Sequence, residues 1–271
     1  MLRNFLPRAA MAAMAFLALG SCAALSTPQP QTPPQASRPA MPPQATGEST
    51  FLPTQARAAD QASRCVDAQR LDLVRLLPPP PAAGSAQERA ELADMLRIQA
   101  TRTPAEVELG RKDVATTVFR FADALGNPPA FAPGRLPRTE ALFRDVGRNE
   151  AAILTRAKDA FARPRPFLAD PQLQPTIARP PSFSYPSGHS TWAAATGLVL
   201  ADMVPERRTQ ILAREAQYAR NRVVDGVHYP SDVAAGQVAG TVLAAMLFDC
   251  PAFAAEEAAA KAELRGALGL P

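Results

Sequence analysis

The stretch PSGHSTWAAATGLVLADM, Pro186 to Met203, decides how this chain is read. A helix is predicted to start around His189 and to pass Trp192 and Leu198 toward Met203. Working outward, Glu206 to about Val223 is charged and amphipathic and reads as another helix. Ser231 to Phe248 is uncharged between Asp232 and Asp249. Sixteen uncharged residues are borderline for a membrane span. Gly236, Gly240 and the many alanines suit close helix packing in a core instead.

Further helices flank these three. Ser85 and Glu88 form a capping-box pattern before Ala90 to Leu96, and Thr103-Pro104-Ala105-Glu106 repeats it, leading a helix toward Gly126. A helix from near Thr139 to Phe161 should stop before Pro164 and Pro166, and an Ala/Glu/Lys helix covers about 252 to 268. Alternating strand patterns are absent. The expectation is an all-α fold, a single helical-bundle domain over residues 60–271.

The first 21 residues read as a signal peptide. Arg3 and Arg8 make a basic start, and Ala9 to Leu19 is an uncharged, mostly apolar run, too short to span a bilayer. Leu19-Gly20-Ser21-Cys22 resembles a lipoprotein cleavage box that would leave Cys22 lipidated; ordinary cleavage near Ala24 is the rival reading. Residues 22–59 are rich in Pro and Gln and suit an extended tether that holds a domain off a membrane, or a plain N-terminal tail. Cys65 and Cys250 are then an even pair, a candidate disulfide in an exported protein or two buried thiols otherwise. A loop this long would give about 4 kcal/mol on closure. The expected location is periplasmic or secreted, with a lipid anchor to the bacterial envelope if Cys22 is acylated.

The pI of about 9.3 overstates the basic character. Without Arg3 and Arg8 the chain has 27 Lys+Arg against 25 Asp+Glu, a net charge of +2. No long basic run or aromatic ladder is present, which argues against a nucleic-acid partner. Local cations focusing a small anionic substrate fit better.

The two histidines, His189 and His228, are the only ones in the chain. Each sits among residues suited to phosphate. His189 follows Ser187 and Gly188, and His228 lies between Arg222 and Asp232. Upstream, Lys158 precedes Arg165-Pro166. Lysine supplies a point charge, and the arginines supply planar forks that match two phosphate oxygens. Ser187 adds a hydroxyl, and Gly188 lets the backbone come close at a helix start. Each cation alone would read as a solvated surface charge. Asp232, four residues after His228, can reach its ring on a helical turn and hold one nitrogen protonated. That assigns His228 as nucleophile, His189 as general acid and Asp232 as the orienting carboxylate. Metal-ligand spacing is absent.

Lys158-x6-Arg165-Pro166, Pro186-Ser187-Gly188-His189 and Arg222-x5-His228-x3-Asp232 resemble the three-part signature of the phosphatidate phosphatase type 2 and vanadium haloperoxidase superfamily. More narrowly the chain is similar to the class A bacterial non-specific acid phosphatases. The likeness extends to Leu77-Pro78-Pro79-Pro80-Pro81, Tyr185 and Tyr229 and covers about residues 65 to 268. It implies a secreted all-α acid phosphatase that needs no metal or cofactor and hydrolyses small phosphomonoesters through a phosphohistidine. By position, Lys158, Arg165, Ser187, Gly188 and Arg222 would bind phosphate. Relatives often form homo-oligomers. Asn221 stands where the family usually has serine, which suggests a retuned site. The same site would also suit lipid phosphates, pyrophosphates or phosphate transfer to an alcohol. Outside enzymes, a phosphate-binding envelope lipoprotein remains the rival.

Overall fold

A computed structural model describes residues 65–271. The expected export signal, Cys22 and the whole proline-rich tether lie outside them. The described residues contain helices and no strand, in agreement with the all-α expectation.

Nine α-helices follow one another among these residues: α1 Leu73–Leu76, α2 Ala86–Thr101, α3 Pro104–Lys112, α4 Pro137–Phe161, α5 Pro166–Ala169, α6 Gly188–Met203, α7 Arg208–Val224, α8 Pro230–Phe248 and α9 Pro251–Ala267. The start signals act as sequence predicts. Ser85 Oγ accepts from Glu88 N at 3.1 Å, although the Glu88 carboxylate accepts from Gly84 and not from Ser85. Thr103 and Glu106 cap each other reciprocally.

One helix is shorter than expected. α3 ends at Lys112, and the chain runs on to Gly126 through two 3-10 turns, Val118–Phe121 and Asp123–Leu125. The cause is Asp113, a fully buried carboxylate bound by Arg214, by Arg120 Nε at 2.9 Å and by Asn221 Nδ2 at 2.7 Å. Drawing that side chain inward takes the backbone off the helical path. Gly126 completes the turn at φ +86°, which suits glycine.

α6 is the axis of the bundle. It packs against α7, α8 and α4, and twelve of its sixteen residues are buried. A helix apolar on every side belongs inside a core. α8 approaches it closely: a Cβ on Gly236 would lie 2.5 Å from the Ser187 carbonyl oxygen and 2.9 Å from Ser190 Cβ. α8 is the one described helix long and apolar enough to cross a membrane, and half of it is buried against its neighbours here. Cys65 and Cys250 form a disulfide with a Cα–Cα distance of 5.7 Å, tying the start of the domain to the residue before α9.

Candidate active site

The clustered residues converge at one end of the bundle. Lys158 lies in the last turn of α4, and Arg163 and Arg165 follow in the Pro-containing link to α5. Ser187 caps α6, with Gly188 and His189 in its first turn. Arg222 closes α7, and Asp232 opens α8 just after His228. Four helix ends therefore supply the site, which is why its members are scattered over 75 residues of sequence.

His228 is buried between opposite charges. Its Nδ1 lies 3.3 Å from Asp232 Oδ2, and its Nε2 lies 2.8 Å from Arg165 Nη1. A guanidinium can only donate and a carboxylate only accept. These contacts therefore require the proton on Nδ1 and a lone pair on Nε2. Burial first, then Arg165, Lys158, His189 and Arg222, hold the imidazole well below its ordinary pKa.

Asp232 is saturated with donors. Tyr229 N donates to Oδ2 at 2.9 Å, Ser184 Oγ donates to the same oxygen, and Arg163 Nη1 reaches Oδ1 at 2.6 Å. Its own carbonyl accepts from Ser187 N at 3.0 Å, which links the two histidine segments.

His189 Nε2 lies 3.1 Å from the Val114 carbonyl, so the proton sits on Nε2 in the neutral ring. The break after α3 is what brings Val114 there. Burial, followed by Arg222, pushes its pKa down to about 3. A bound dianion would oppose that shift. Ser187 Oγ accepts from Ser190 N, so the amides of Gly188 and His189 are left as first-turn donors without intrahelical acceptors.

The cations are fixed. Lys158 Nζ donates to the Phe183 and Pro186 carbonyls at 2.9 and 2.8 Å. Arg165 also donates to the carbonyls of Ser182 and Val227, and Arg222 is held by the Gly110 carbonyl and by Asp225 at 2.7 Å. Burial, then Arg165, lowers the Lys158 pKa to about 7. Arg165, Ser187, Arg222, His228 and Asp232 are buried, whereas Lys158, Gly188, His189 and Glu150 are half-buried. The site therefore opens on the side of those four.

Sequence reading missed several of these groups. Glu150, two turns before Lys158, places Oε1 3.1 Å from where a Cβ on Gly188 would stand. Burial raises its pKa to about 8, against the pull of Lys158. Arg163 stood inside the Lys158–Arg165 segment and was readable as a third cation. Ser184 and the Val114 carbonyl carried no sequence signal. Asn221 donates to Asp113, so its amide is anchored in the buried ion cluster.

The PAP2 superfamily profile matches residues 149–255, a span that holds every clustered residue from Lys158 to Asp232. The chain is 30% identical over 211 residues to a non-specific acid phosphatase of Providencia stuartii, covering 73% of this chain and 82% of that protein. It is 29% identical over 175 residues to an acid phosphatase of Zymomonas mobilis, covering 62% and 66%. The structure of a bacterial vanadium-dependent iodoperoxidase superposes with a TM-score of 0.51 at 17% identity, over 72% of this chain and 64% of that one, a likeness of fold. Because the similarity runs well beyond the clustered residues and through most of both chains, the protein belongs to the PAP2 superfamily, among its non-specific acid phosphatases, and is a phosphoric monoester hydrolase.

Proposed function

We propose that the enzyme hydrolyses small phosphomonoesters through a phosphohistidine on His228. The observation that carries this reading is the orientation of His228, with Nδ1 on Asp232 and the Nε2 lone pair directed toward the cations. Lys158, Arg165, Arg222 and the α6 first-turn amides hold the phosphate oxygens and balance the charge of the five-coordinate state. Ser187 and Gly188 allow that approach, the one by capping α6 and the other by presenting bare backbone.

His228 Nε2 attacks phosphorus as the P–O bond to the leaving group breaks, and His189 gives that oxygen a proton. Asp232 stabilises the positive charge that develops on the His228 ring. Water then attacks phosphorus, His189 takes its proton, the N–P bond breaks and inorganic phosphate leaves. Three cations supply the charge that a divalent ion supplies in metal-dependent phosphatases, so the reaction is proposed to need no metal.

The Cys65–Cys250 disulfide supports residence in an oxidising compartment, and we place the enzyme in the periplasm or outside the cell. Hydrolysis of nitrophenyl phosphate in EDTA tests the reading. Wild type should turn over at an undiminished rate and be inhibited by vanadate, and His228→Ala should be inactive. Loss of wild-type activity on chelation, restored by zinc or magnesium, would overturn the metal-independent mechanism.

A further inference from the structure

Arg163 is buried, and its side-chain hydrogen bonds run to Asp232, Ser231 and Glu91. Its Nη1 donates to Asp232 Oδ1 at 2.6 Å and to Ser231 Oγ at 2.8 Å, and its Nη2 donates to Glu91 Oε2 at 2.9 Å. The guanidinium carbon lies over the Tyr229 ring, 3.6 Å from its centroid. Glu91 is itself fixed, because its Oε1 accepts from Ser231 N at 2.7 Å. A rigid chain thus runs from α2 through Arg163 to Asp232 and on to His228.

The two oxygens of Asp232 have separate partners. Oδ1 faces Arg163, while Oδ2 faces His228, Ser184 and the Tyr229 amide. Nη1 holds Oδ1 while Nη2 is anchored on Glu91. The carboxylate is thus gripped at both oxygens, Oδ1 by Arg163 and Oδ2 by Ser184 and the Tyr229 amide, and Oδ2 is kept toward His228. Arg163 also draws charge from the carboxylate. That matters because His228 must remain unprotonated to attack phosphorus, and a full negative charge beside Nδ1 would favour the imidazolium. The charged groups facing His228 are Arg165, Lys158, Arg222 and the His189 ring on one side and Asp232 on the other. Behind Asp232 stand Arg163 and Glu91, with Glu88 near the Tyr229 hydroxyl.

We propose that Arg163 is a positioning residue for phosphoryl transfer: it holds Asp232 Oδ1, so that Oδ2 stays on His228 Nδ1, and it shares the carboxylate's charge beside the nucleophile. This inference rests on the reading of His228 as nucleophile. Without Arg163 the acid limb of activity should move to higher pH, because the unshared negative charge beside Nδ1 would favour protonation of His228.

The test is a pH–rate profile on nitrophenyl phosphate for the full chain and two variants, Arg163→Gln and Glu91→Gln. Arg163→Gln should lose about tenfold or more in kcat with KM changed by less than about threefold. Its acid limb should rise by about one pH unit, the size expected for losing an adjacent opposite charge. Glu91→Gln leaves Arg163 with Asp232 as its single carboxylate partner, so its acid limb should move the other way, to lower pH. If Arg163→Gln does not fold, the direction of the Glu91→Gln shift decides alone. An acid limb unmoved or raised in Glu91→Gln, or a folded Arg163→Gln with the wild-type profile, overturns the proposal. Labelling of His228 in the wild type separates the two readings. A wild type that labels while the variants keep its pH profile refutes the role of Arg163 alone, and a wild type that never labels refutes the nucleophile.

Discussion

Gly236→Ala should damage catalysis more than stability, because the methyl group it adds meets the floor of the site. A Cβ there lies 2.5 Å from the Ser187 carbonyl oxygen, 2.9 Å from Ser190 Cβ and 3.2 Å from Thr191 N, where ordinary contact begins at 3.4 Å. α6 and α8 must part by about 0.9 Å at that level, the difference between the first and last of these distances. Overpacking of this kind costs about 1–3 kcal/mol. Alanine returns about 1 kcal/mol of helix propensity. A net loss of up to about 2 kcal/mol would lower Tm by up to roughly 8 °C for a domain of this size. Ser187 donates to the Asp232 carbonyl, so displacing it moves the Gly188 amide and the His228 partner together. A shift approaching 1 Å costs about a hundredfold in rate. The expected fall in kcat/KM is therefore about ten- to a hundredfold, measured with nitrophenyl phosphate beside thermal unfolding by circular dichroism. Gly240→Ala is the control. One turn further along, its Cβ meets the Thr191 carbonyl and Ala194 Cβ, away from Ser187. Its contacts are tighter, 2.7 Å to Ala194 Cβ against 2.9 Å to Ser190 Cβ, so it should lose at least as much stability yet keep kcat/KM within about threefold. Equal activity losses in the two variants, or an unperturbed Gly236→Ala, would refute the reasoning.

His189→Ala should lose more on an alkyl phosphate than on a nitrophenyl phosphate, since a basic alkoxide needs the proton and a nitrophenolate leaves unaided; equal losses would assign His189 another role. The alkaline limb of kcat/KM should fall near pH 7 to 8. Lys158, pushed down to about 7, loses its charge as pH rises, and Glu150, pushed up to about 8, gains a negative charge beside Gly188. Both changes oppose a dianion, and substrate favours the charged lysine, so the limb in kcat should lie higher than that in kcat/KM. Lys158→Arg, with a charge that does not titrate in this range, should move the limb up. Reduction of Cys65–Cys250 should remove about 5 kcal/mol, from loop closure over a separation of 185 residues, and lower Tm without changing KM.

Much of the candidate site's geometry was legible because it is built from scarce residue types. With two histidines in the chain, the spacing of His228 and Asp232 suggested a contact that a helix start makes, and α8 does begin at Pro230. Capping residues placed α2 and α3 for the same local reason. The long-range partners were illegible. Asp113 ends α3 because Arg214 and Asn221, about a hundred residues later, bind it, and a window along the chain holds no trace of that. The Val114 carbonyl reaches His189 only as a consequence. Asn221, which stands where the resemblance implies serine, gives its amide to the buried Asp113 cluster, a partner that no local pattern announces.

The central claim is that His228 carries phosphate covalently, and a rapid-quench experiment measures it most directly. Enzyme mixed with an excess of labelled phosphomonoester should be stopped in base, where phosphohistidine survives, and digested for mass spectrometry. The account predicts up to one phosphate per chain on the peptide containing His228, stable in base, lost in acid and absent from His228→Ala. Label on another residue, or turnover retained by His228→Ala, would contradict it.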